Sequence, residues 1–62
     1  DPNDISRKLY NEYQIQAYPG DIYSWLDTFV RNLDAIKRIS KAFDNKKMVK
    51  ACNNLIKVIE KG

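Results

Sequence analysis

Apolar residues recur every three or four positions through most of this 62-residue chain, the spacing that lines one face of an α-helix. The pattern is cleanest after Asp21. Ile22, Trp25, Leu26, Phe29, Val30, Leu33, Ile36, Ile39 and Phe43 step along a helix that Asp21 is placed to cap. At about 100° per residue these positions sweep roughly half the circumference, a stripe broad enough to touch two neighbours. A long central helix over about 21–43 is therefore predicted. A second clean segment runs over about 46–61. There Met48, Val49, Cys52, Leu55, Ile56 and Ile59 face one way, with Ala51 and Val58 at the margins. Lys46, Lys50, Asn53, Lys57, Glu60 and Lys61 face the other.

A weaker helix is predicted over about 4–17. Asn3 or Asp4 can cap it, with Pro2 just outside, and Ile5, Leu9 and Tyr13 share a face. Beyond Tyr13 the spacing blurs through "QIQAYPGD", where Pro19 disfavours helical geometry at Tyr18 and Gly20 permits a tight turn. The remaining joint is "DNKK" at 44–47. One uninterrupted helix would rotate its apolar stripe by about 90° between residues 43 and 48. A break there, capped by Asp44 or Asn45, lets the chain fold back on itself and restores one core.

The expected architecture is all-α, a small three-helix bundle centred on Trp25, Phe29, Leu33, Ile36, Leu55 and Ile59. A fourth short helix arises if the central element breaks within "RNLDAIK". No glycine or proline interrupts residues 21–61, which argues against a hairpin-rich β domain. Residues 1–62 read as one small domain, without repeat or linker. The opening "DPND", which lacks a methionine, suggests a unit cut from or appended to a larger protein. A chain this short buries only about 60% of the surface of its unfolded form, and net stability of roughly 3–9 kcal/mol is expected.

The same residues argue against most chemistry. With one cysteine and no histidine, the chain has no internal disulfide and a poor supply of metal ligands. The lone cysteine fits an intracellular protein, cytoplasmic or associated with nucleic acid, better than a small secreted scaffold. No apolar run approaches the length of a membrane span. Cys52 sits on an apolar helix face with no base to activate it, so it reads as a small buried hydrophobe. Asp27 and Asp34 read as solvated surface charges, because paired acids need a cleft to shift their pKa values. No glycine-rich phosphate loop is present. Catalysis, a cofactor, a metal and a small-molecule substrate are therefore not expected.

Charge distribution carries the functional signal. Residues 1–30 hold two Lys/Arg against five acids, a net of −3. Residues 31–62 hold nine against three, a net of +6. Such asymmetry points to an anionic partner. Lys37, Arg38 and Lys41 lie near the C-terminal end of the central helix, where cations suit the dipole. Lys46 and Lys47 come just after a helix start, where each costs about 0.3–1 kcal/mol. Folding back at 44–47 gathers both sets, with Lys50 and Lys57, into a basic patch suited to nucleic-acid phosphates. In size and charge the chain is similar to small helical modules appended to helicases and other DNA-processing proteins, a likeness of class resting on no motif. The joint lacks the glycine of a helix-turn-helix reader, so binding is expected to be backbone-directed.

Aromatic residues crowd into the first half. Tyr13, Trp25 and Phe29 are expected in the core, whereas Tyr18 and Tyr23 flank the turn as candidates for a contact surface. The competing reading is a protein-interaction or dimerisation domain that uses the broad apolar arc of the central helix.

Overall fold

The computed structural model describes residues 1–18 and 20–61. Three helices follow one another: α1 (Pro2–Tyr13), α2 (Ile22–Ala42) and α3 (Lys46–Lys61). Among the described residues there is no strand. The chain is a small all-α domain, as its periodicity predicts. Helix α2 runs unbroken through "RNLDAIK", so the optional fourth helix does not form.

The first helix begins and ends earlier than its sequence suggests. Neither Asn3 nor Asp4 is the cap. The Asp1 carboxylate accepts the Asn3 N–H at 2.8 Å, and Pro2 lies inside the helix rather than before it. Proline suits a first turn because its missing N–H would have had no intrahelical partner there. At the other end Gln14 adopts the left-handed conformation (φ 56°), its N–H donating to the Tyr10 carbonyl at 2.8 Å and the Ile15 N–H to that of Leu9 at 3.3 Å. That cap stops the helix before the expected residue 17. The turn proposed at Pro19 lies outside the described residues.

Helix α2 starts where the pattern places it. Asp21 accepts the Ser24 N–H at 3.1 Å, satisfying one of the orphan donors of the first turn. Its end is a Schellman-type closure. The Asn45 N–H reaches the Ser40 carbonyl at 2.7 Å, and the Asp44 N–H reaches Lys41 at 3.1 Å. Asp44 takes the left-handed position (φ 54°) that usually belongs to glycine. Asn45 then caps α3 by accepting the Met48 N–H at 3.1 Å. The two candidate caps thus divide the work: Asp44 reverses the chain and Asn45 restarts it.

So short a connection makes α2 and α3 an antiparallel pair. Helix α1 packs against both at the far end from the joint. The core there comprises Ile5, Leu9 and Leu26, with Ile15, Ile22, Trp25, Phe29, Leu55, Val58 and Ile59 packed around it. Leu9 is the one large side chain fully withdrawn from solvent among the described residues. Trp25 and Phe29 stack with ring centroids 4.9 Å apart and an interplanar angle of 21°, one helical turn from each other.

Farther along the hairpin only Leu33, Cys52 and the small Ser40 are buried. The expected centre is therefore displaced. Trp25, Phe29, Leu55 and Ile59 are half-buried at its margin, while Ile36 and Tyr13 are exposed. The reason is length. Twelve residues of α1 reach about 18 Å, against about 31 Å for the 21 of α2, so α1 leaves the joint end of the hairpin uncovered.

Candidate nucleic-acid interface

Helix α3 opens on two cations. Lys46 and Lys47 are its first two residues, and no acid lies in its first turn. They are inside the helix, so the unfavourable dipole interaction applies to both. The same dipole, with the outward-facing N–H groups of a first turn, attracts an anion.

Three of the expected lysines converge beside that turn. Lys41 from the end of α2 and Lys46 and Lys50 from α3 line one shallow groove of about 310 Å³, together with Asp44, Asn45, Val49 and Asn53. Lys46 and Lys50 stand one turn apart, and the folded-back joint supplies Lys41. Val49 contributes an apolar wall. Asn45 and Asn53 add amides able to donate to phosphate oxygens. Sequence reasoning did not assign these two asparagines to the site, although Asn53 falls seven residues after Lys46 and so on the same helix face. Asp44 is the one carboxylate in the groove, and it opposes an anion there.

The other expected contacts fare differently. Arg38 donates to Asp34 at 2.9 Å and is thereby held in an intrahelical ion pair. Arg31 pairs with Asp27 at 3.2 Å, and Arg7 pairs with Asp4. In each α2 pair the acid precedes the base by four residues, the favourable order on a helix. Among the described residues no lysine takes part in an ion pair. Lys57 lies seven residues beyond Lys50 on the same outer face of α3, so the helix extends the basic stripe past the groove. Lys37 is half-buried and, like Lys47, does not line the groove.

Tyr18 and Tyr23 are both exposed, but the structure does not bring them into one site. Tyr18 lines a second depression with Tyr10, Asn11 and Ile22, among others, from which Tyr23 is absent. Cys52 is a buried free thiol of α3. Among the described residues no helix is long and apolar enough to cross a membrane.

Residues 1–59 match a family of unknown function, DUF5814. The chain belongs to this family. It is also similar to a protein of Methanocaldococcus jannaschii named as a probable ATP-dependent helicase, with 42% identity over 59 residues. That match covers 95% of the present chain and 7% of the archaeal protein, so the domain spans a small fraction of this relative's length. No solved structure matches the chain.

Proposed function

We propose that this domain is a non-catalytic accessory module that binds nucleic acid at the α2–α3 joint, chiefly through phosphates. The observation that carries the reading is the groove in which Lys41, Lys46 and Lys50 meet without intrachain carboxylate partners at the N-terminal end of α3. Lys46 adds charge at the N-terminus of α3, where the helix dipole is already positive, and Lys41 and Lys50 stand beside it, so the site attracts a polyanion more strongly than the same lysines scattered over the surface. A helicase name on the similar archaeal protein supports the same class of ligand. Lysine is a point charge and the groove has no arginine fork, so contacts position a backbone without reading bases. An intracellular setting, with the domain serving as a part of a larger nucleic-acid-processing protein, follows from that reading.

Titrating labelled single- and double-stranded DNA at two salt concentrations tests it. If Lys41, Lys46, Lys50 and Lys57 each neutralise one phosphate, log affinity falls with log salt at a slope of about −3 to −4 on duplex DNA. Replacing Lys46 and Lys50 with glutamine weakens binding and flattens the slope by roughly 2. Unchanged affinity and slope in that variant would overturn the reading.

A further inference from the structure

The α2–α3 seam that receives α1 does not end where α1 does. Phe29 on α2 and Leu55 on α3 both pack against the α1 core. Seven residues return a helix to nearly the same direction, so Phe29 is followed on its face by Ile36 and then Phe43. Leu55 is preceded on its face by Met48. These residues prolong the same seam toward the joint, and they are open: Ile36 is 42% exposed, Met48 43%, the adjacent Ile39 60% and Phe43 81%. Every charge on α2 falls at 27, 31, 34, 37, 38 or 41, leaving Asn32, Ala35, Ile36, Ile39, Ala42 and Phe43 as a face with no charge at all. Exposed apolar residues scattered singly need no explanation, but a contiguous set in a helix-receiving seam does.

Two observations identify the occupant. Its shape follows from α1, a helix that already fills the other half of the seam. Its charge follows from the surroundings. The patch belongs to the half of the chain that carries nine Lys/Arg against three acids. Lys47, which does not line the phosphate groove, directly precedes Met48 without an acidic partner. A second copy would set like charge against like charge in a two-fold contact.

We propose that this open half of the seam docks an amphipathic helix of a protein partner, apolar along one face and acidic on its flanks. Phe43 and Ile39 are its main contacts, and Met48 forms the opposite wall. The phosphate groove is lined by different residues, so the two surfaces can be occupied together.

Met48 is the only methionine, so methyl-labelled methionine gives a single NMR reporter inside the patch. The 62-residue chain is titrated with two synthetic helical peptides of identical leucine-lined apolar face, one flanked by glutamate and the other by lysine. The acidic peptide is expected to shift the Met48 resonance saturably and to bind at least about tenfold tighter than the basic one. Combining Phe43→Ser with Ile39→Ser is expected to weaken that binding by roughly tenfold or more. Because both side chains are exposed, the thermal melt and the DNA affinity stay as they were. Equal binding of the two peptides, an unmoved Met48 resonance, or full affinity in the double variant would each overturn the proposal. So would a Met48 shift that grows with protein concentration alone, which would identify a second copy as the occupant. Loss of DNA binding in lysine variants that still bind the acidic peptide separates this surface from the phosphate groove.

Discussion

Asp44 answers two demands that conflict. The chain must reverse in a left-handed conformation to close α2 and start α3, and an L-residue with a Cβ pays about 1–2 kcal/mol for that geometry, aspartate less than most. Its carboxylate also stands in a groove that otherwise presents lysines and amides. Asp44→Gly relieves the backbone but loosens the unfolded chain, which offsets part of the gain. A net stabilisation of about 0.5–1 kcal/mol is expected, read as a rise in melting temperature of roughly 2–8 °C. The same variant should bind DNA more tightly, because an anion-repelling group has gone. A lower melting temperature would show that the Asp44 side chain supports the joint in some other way. Asn45→Ala, by contrast, removes the cap of α3 and should lower stability by about 1 kcal/mol. Either residue could have capped from the sequence alone. The backbone reversal decided between them.

Helix α3 has a start that is poor for folding and good for binding. With Lys46 and Lys47 as its first two residues and no acid beside them, exchanging both for glutamate turns an unfavourable dipole interaction into a favourable one. Chemical denaturation of Lys46→Glu/Lys47→Glu should report a gain of about 1–4 kcal/mol, while DNA affinity falls steeply. Stability and affinity moving in opposite directions would distinguish cations retained for a ligand from cations that merely solvate a turn. Legibility varied between helices for local reasons. The boundaries of α2 and α3 follow from strong periodicity and side-chain caps, and they matched. Those of α1 did not, because the Asp1 cap and the left-handed Gln14 set its ends at positions where the apolar pattern says little.

A domain of this size rests on few buried groups. Leu9, from the helix with the faintest pattern, is the most deeply buried of the described hydrophobic residues. Leu9→Ala should cost about 2–5 kcal/mol, comparable to the whole of a stability of roughly 3–9 kcal/mol, and thermal denaturation should find the variant largely unfolded at physiological temperature. Ile36→Ala, placed at the centre by periodicity but exposed in the fold, should cost far less. Three helices as the basic count, a break within residues 44–47, the capping of α2 and the crowding of cations in the second half were all readable from the chain. Each depends on neighbours a few positions apart, through helical periodicity, turn chemistry and the dipole. Which apolar residues are buried, and which lysines meet, depends instead on how far a short α1 reaches along a longer hairpin and on the direction in which the joint returns the chain. Those are contacts between segments distant in sequence, and only the packed helices set them.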